Sequence, residues 1–378
     1  MVSSKGAKCS LEQLKSITQN TKSLLSQLEA VLHAIAVDKT VATTPPPPSS
    51  NPPQSVDALA LAHDSASLIK AHTTRVSLLI INEPFTPSAI IKVLNELVAG
   101  PIPGIASAVQ ACEAEKYTSV ARQDLAWRCY RVLKELRCLV DAIPLDGKVL
   151  SVVKKNGANG DVGSITATGV IWAACDDVIL LKSLGIGGLL VKKVEQYRDT
   201  LKDVLEELKE WKEEGENEEA DENDQVEYVT NHLETTHIST QDMLDDFMST
   251  QHIPRDDPEK IRERLDSCMK RLRLTTLLCS AIIKRRLKTL PPVPTNTPAS
   301  VTKRLDEVFP VLKRMVEGFN EVACAFYEME PDAIDRTMDA CFFDAFAASE
   351  MMMSPWEGQK DEFAEWAEKF QVGIKKPD

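Results

Sequence analysis

Histidines and carboxylates are the side chains best suited to holding a metal or moving a proton, and the chain gathers them once. His232, His237 and His252 stand near Asp242, Asp245 and Asp246. Their spacing matches no helix-borne pair of ligands and no cysteine joins them, so a solvated connector explains them better than a metal site does. Gly185-Ile186-Gly187-Gly188 could offer backbone amides to a phosphate, but that chemistry needs a strand before the glycines and a Lys-Ser or Lys-Thr after them. Neither is there. The acidic run from Glu213 to Asp224 lacks the Asp-x-Asp-x-Asp-Gly order of a calcium loop. None of the six histidines sits in a context that marks a nucleophile, its base and an orienting group. The expectation is a chain that is not an enzyme, with no catalytic residues, no cofactor and no metal.

What remains is chemistry of contact. Lys284-Arg285-Arg286-Leu287-Lys288 clusters cations as nuclear-import signals do, and Arg285-Arg286-Leu287 also fits the loose Arg-x-Leu pattern of cyclin-docking peptides. The plainer reading is that cations at a helix C-terminus complement its dipole. Met351, Met352 and Met353 with Trp356 form a second group, whose pliable side chains suit an adaptable surface and equally suit a core. Lys284, Arg285, Arg286, Lys288, Met351, Met352, Met353 and Trp356 are therefore the partner-binding candidates.

These residues must be positioned by helices, because helical periodicity is the one pattern the chain repeats. In 168–183, Ile171, Ala174, Cys175, Val178 and Leu181 recur at helical spacing, while Val170, Trp172, Ile179 and Leu180 widen the stripe to most of the circumference. That pattern predicts a helix buried on all sides. Leu184–Gly188 predicts a reversal, and Val194, Tyr197, Leu201, Val204, Leu208 and Trp211 then form a stricter seam, making a helical hairpin. Leu14, Ile17, Thr21, Leu24, Leu28, Val31 and Ile35 predict a first seam, and Val301 through Met329 a late one. Trp127, Leu133, Leu136 and Val140 are expected to point inward from a helix over about 120–142. Strand signals are almost absent.

Breaks in this pattern divide the chain. The proline-rich stretch within 43–54 cannot continue a helix and reads as a loop. Between Glu206 and Glu227 stand twelve acidic residues against Lys209 and Lys212. Self-repulsion there argues for a flexible acidic linker over 213–238. The expected organisation is an N-terminal helical bundle over 1–212 and a C-terminal bundle over 239–378. The segment 258–290 is basic, with ten cations against Glu259, Glu263 and Asp266.

At 378 residues the chain can bury two cores. A formal charge of −13 argues against the whole molecule binding nucleic acid or anionic membrane. Nine cysteines, an odd number, include Cys112, Cys129, Cys175, Cys279 and Cys324 on apolar helical positions, which reads as reduced core thiols in the cytoplasm or nucleus. No apolar run approaches the roughly 20 residues that span a bilayer, so no membrane partner is expected.

Three islands together resemble the cyclin-D-interacting protein family, in what looks like a fungal-type member. They are His72–Ile81 running into Pro84–Pro87, Thr168–Asp176 followed by the long helix and acidic run, and Leu305–Pro310 through Ala325–Tyr327. The resemblance implies an all-α protein of two antiparallel helical bundles, similar to vinculin- and talin-type bundles, joined by the acidic linker. It implies a protein that binds cyclins and helix-loop-helix transcriptional regulators in cell-cycle and transcription control, in cytoplasm and nucleus. Alternatives are a nucleic-acid-associated regulator using the basic helix over 258–290 and a cytoskeletal-type helical adaptor.

Overall fold

The computed structural model describes residues 2–38, 56–156, 163–225, 253–254, 256–295 and 298–375. Among these the chain is all-α, with no strand. The helices are α1 (Val2–Val37), α2 (Ala58–Ile81), α3 (Pro87–Ala99), α4 (Pro101–Ala111), α5 (Ala114–Tyr117), α6 (Ser119–Asp141), α7 (Val152–Asn156) and α8 (Ser164–Gln225), then α9 (Ile261–Ile282), α10 (Ala299–Tyr327), α11 (Pro331–Met353) and α12 (Glu362–Gly373). A π-helical turn, Ile283–Leu287, prolongs α9. The proline-rich loop, the histidines at 232, 237 and 252, and linker residues 226–238 lie outside the described residues.

The chain forms two compact units, 1–189 with 292–303, and 190–291 with 304–378. This division falls earlier than the expected boundary after residue 212. The reason is that Val194, Leu201, Val204, Leu208 and Trp211 are buried in the second unit, with Trp211 against Phe326 and Tyr327. Nor does the chain become a linker at residue 213, because α8 continues to Gln225. Glutamate, lysine and alanine are good helix formers, and a helix already nucleated by a packed seam extends at little cost.

In the first unit, α1 packs on α6 and α3, and α2 on α4 and α3. Lys22 pairs with Asp141 at 2.6 Å, Glu29 with Arg137 at 2.8 Å, and His33 meets Tyr130 farther along, so α1 and α6 run antiparallel. The buried seam of α1 is Leu14, Thr18, Thr21, Leu25, Leu32 and Ile35, shifted from the expected one, and Val31 is exposed. Threonine is tolerated inside because its hydroxyl can bond back along the helix, as Thr21 does to the Ile17 carbonyl at 2.7 Å. Trp127 also departs from expectation. It sits exposed beside Tyr130, while Leu125, Cys129 and Val132 turn inward. Pro87–Ala111 is apolar over 25 residues with mean hydropathy 1.4, but Gly100 divides it into α3 and α4, whose Ile90, Leu94, Leu97, Ile102 and Ile105 are core residues.

In the second unit, paired contacts give helix directions. Lys212 meets Asp266 while Arg198 faces Cys279, so the C-terminal part of α8 opposes α9. Arg314 pairs with Asp344, and Phe319 meets Phe342, so α10 opposes α11. Arg264 pairs with Asp335 and Arg271 covers Phe342, so α9 and α11 run parallel. The unit is an up-down-up-down bundle with α12 laid against α9 and α11. The α10 seam is as expected: Val301, Leu305, Val308, Leu312, Met315, Phe319, Val322 and Phe326 are all buried.

Helix ends follow local chemistry. Asp57 caps α2, accepting hydrogen bonds from the Leu59 and Ala60 amides at 3.0 and 3.1 Å. Thr118 caps α6 through the Ala121 amide at 3.1 Å. Where the sequence predicts a full reversal over Leu184–Gly188, the backbone leaves helical geometry at one residue, Gly185, with φ 66° and ψ 177°. Only glycine adopts that conformation without strain.

Candidate functional site

The residues expected to form a contact surface are brought together, but by an internal knot. Arg286 is 1% exposed. Its Nε donates to the Met352 carbonyl at 2.7 Å and its Nη2 to the Met353 carbonyl at 2.8 Å. Nη1 donates to the Arg285 carbonyl, and the two terminal nitrogens grip Asp361 at 2.6 and 2.9 Å. The guanidinium lies over the Phe363 ring at 4.3 Å. All five N–H donors of the side chain are thus engaged. Trp356 completes the knot, its Nε1 donating to the Arg286 carbonyl at 2.7 Å while Arg304 covers its ring at 5.0 Å. Asp361 also caps α12 through the Ala364 amide at 3.1 Å, and the Arg286 guanidinium holds its carboxyl below the usual carboxylate range.

This corrects the expected surface. Arg286 and Met352 are buried, and Met351, Met353 and Trp356 are half-buried. Lys284, Arg285 and Lys288 remain exposed, with Arg285 paired to Glu362 at 2.7 Å. The Arg-x-Leu stretch is not available as a docking peptide, because Arg286 and Leu287 both face the core. The cause is periodicity: Arg286 stands one turn after Ile282 and two turns after Cys279, both core residues.

A different surface carries the exposed apolar side chains. In the first unit α2 and the N-terminal part of α8 lie side by side, joined by a ladder of polar pairs. Ser77 Oγ accepts from Thr168 Oγ1 at 2.9 Å, Thr74 Oγ1 accepts from Trp172 Nε1 at 3.1 Å, and Lys70 Nζ meets Asp176 at 2.6 Å. The pairing shows the helices to be antiparallel. Exposed apolar side chains on the two helices include Leu68 and Leu78 of α2 and Ile165, Val170, Trp172 and Leu180 of α8, each at least 38% exposed. By helical spacing Leu78, Ile165, Trp172 and Leu180 fall on the outer side of the pair, whereas Leu68 and Val170 turn away from the ladder. The expectation that the tryptophan-bearing helix is buried all round is therefore wrong on one side. Ile171, Ala174, Cys175, Val178 and Leu181 do face the core, and the widened part of the stripe faces out.

The face ends in an open hollow of about 700 Å³ lined by His63, Asp176, Leu180 and Lys182 among others. The buried thiols nearby, Cys112 and Cys175, are pushed up to about 12 by desolvation, far from a reactive thiolate. Among the described residues no group of three or more His, Cys, Asp or Glu side chains could hold a metal. Composition alone could have flagged the face, since Trp172 and Leu180 exceed what a one-sided helix needs.

Comparison with known proteins shows that this face falls within a stretch similar to a known family domain. A family model described as "Grap2 and cyclin-D-interacting, N-terminal" matches residues 62–214, which include α2, α3, α4, α6 and the first two islands noted in the sequence. An uncharacterized protein of Schizosaccharomyces pombe is 24% identical over 321 residues, covering 83% of this chain and 84% of the relative. Over residues 62–214 the chain is similar to the N-terminal domain of the Grap2 and cyclin-D-interacting family.

Proposed function

We propose that the protein is a non-enzymatic interaction regulator that receives an amphipathic helix of a partner protein on the α2–α8 face. The observation that carries this reading is the set Leu78, Ile165, Trp172 and Leu180, which offers apolar side chains to solvent on the outer side of the paired helices, within the matched residues. A helix laid along two antiparallel helices buries its own apolar stripe and gains the transfer free energy of both surfaces. The polar ladder beneath, including Lys70 and Asp176, holds the two helices at fixed spacing, so little ordering is left to be done on binding.

Similarity to the cyclin-D-interacting family supports cyclin-D-related partners, and helix-loop-helix regulators are the second partner class in this proposal. We place its work in cell-cycle and transcription control, in cytoplasm and nucleus. A nucleic-acid reading is disfavoured because Arg286 is enclosed and Arg285 is paired, which leaves few of the basic cluster's charges for phosphates. The test is capture of cyclin-type and helix-loop-helix proteins from the native host by the full chain, compared with Leu78→Glu and Leu180→Glu. The reading expects capture to fall by about tenfold or more for each substitution, as for a hot-spot residue. Equal capture by both variants, or retention on DNA that fades with added salt, would overturn it.

A further inference from the structure

The second unit contains two deeply buried arginines with opposite fates. Arg286 has an acceptor for every donor, whereas Arg271, 5% exposed, has an acceptor for one. Its Nε donates to the Ile374 carbonyl at 2.8 Å and its face lies on the Phe342 ring at 3.8 Å. Among the described residues the remaining N–H groups have no acceptor, and the side chain lines a cavity of about 280 Å³ between α9 and α11. Arg264 lines the same cavity. It holds Asp335 at 3.1 Å through Nη2, while its enclosed Nε has no acceptor among the described residues.

The unmatched N–H groups of Arg271 are not themselves enclosed and open onto the cavity, while burial of the side chain pushes its pKa down and Asp339 opposes the shift. Arginine still keeps its charge at neutral pH, so a fork of N–H groups faces the open cavity. We propose that this cavity is a binding site for a single carboxylate group, gripped by Arg271 and the Nε–H of Arg264, with the Ser267 hydroxyl beside it.

Geometry and charge select the ligand class. The planar fork of arginine matches the two oxygens of a carboxylate. Glu263, Asp335 and Asp339 at the same cavity balance Lys260, Arg264 and Arg271, so the lining has no net charge, which disfavours a dianion such as phosphate and leaves a monoanion to be held by the arginine fork itself. Met338 supplies an apolar wall for the methylenes behind the carboxylate. The volume suits a short aliphatic acid or one glutamate side chain. The site lies wholly in the second unit, so it stands or falls independently of the α2–α8 face.

The test uses the full chain labelled with ¹⁵N-arginine, following the Nε–H signals of Arg264 and Arg271 by NMR. Glutarate, acetyl-glutamyl amide and inorganic phosphate are titrated in turn against sodium chloride at matched ionic strength. The expected result is a saturable shift of both signals with the carboxylates, at least tenfold weaker in Arg271→Gln and in Ser267→Trp, which fills the cavity but leaves both guanidinium groups. Circular dichroism melting shows which variants remain folded, and if Arg271→Gln does not, Ser267→Trp decides. A stronger response to acetyl-glutamyl amide assigns the carboxylate to a protein side chain, and a stronger response to glutarate assigns it to a small acid. No saturable shift, an unchanged response in Ser267→Trp, or a response to phosphate as strong as to the carboxylates would overturn the proposal.

Discussion

Arg286 shows how one side chain can serve as the hub of a unit. It joins the end of α9, the end of α11, the Trp356 segment and the start of α12. Removing Asp361 leaves a buried cation without its counter-charge, so Asp361→Asn is expected to lower unfolding free energy by about 2–4 kcal/mol. This is less than the loss of a fully enclosed pair, because Asp361 keeps part of its side chain in water. Urea denaturation checks it. The pH dependence has a definite sign: since the folded carboxyl is depressed, its contribution is present above the usual carboxylate value and is lost as pH falls through the folded value. The stability gap between wild type and Asp361→Asn should therefore close on acidification. The position of Arg286 was legible in the helical spacing, but a run of five residues with four cations reads as solvated, and partner geometry two helices away is not written locally.

At the scale of elements, two glycines test the packing. A Cβ on Gly318 would lie 2.7 Å from Cys341 Sγ, so Gly318→Ala should push α10 from α11 and cost about 1–3 kcal/mol. Gly169 is exposed in α8 with nothing within 4 Å of its Cβ position, so Gly169→Ala should raise stability by about 0.5–1 kcal/mol. Both are read from the shift in urea midpoint. The α8 and α10 seams were legible because large apolar residues recur there without competitors. On α1 they were only partly so, because Thr18, Leu25, Glu29 and Leu32 are buried in place of Ile17, Leu24, Leu28 and Val31, and on α8 the surplus of apolar residues hid the fact that one side faces solvent. Periodicity reports the burial of a stripe, and a stripe wider than its neighbour can cover belongs partly to the surface. The candidate face was therefore present in the residues but not its direction.

At the scale of the whole molecule, thiol accessibility reports whether both units are folded. Cys112, Cys129, Cys175, Cys268, Cys279 and Cys341 are buried, whereas Cys138 and Cys324 are exposed, the latter against the expectation of a core thiol. Among these eight, alkylation of native protein near neutral pH should modify Cys138 and Cys324 and spare the other six until denaturant is added, as mapped by mass spectrometry. Labelling of Cys268 or Cys341 alone would show the second unit opening by itself. The division into units also has a historical corollary. Because residues 292–303 return to the first unit, with Thr302 bonded to the Glu115 carbonyl at 3.0 Å, each unit is assembled from separated stretches of sequence. A genetic exchange with a single breakpoint cannot hand either one on intact, so descendants of this gene inherit the two together or neither.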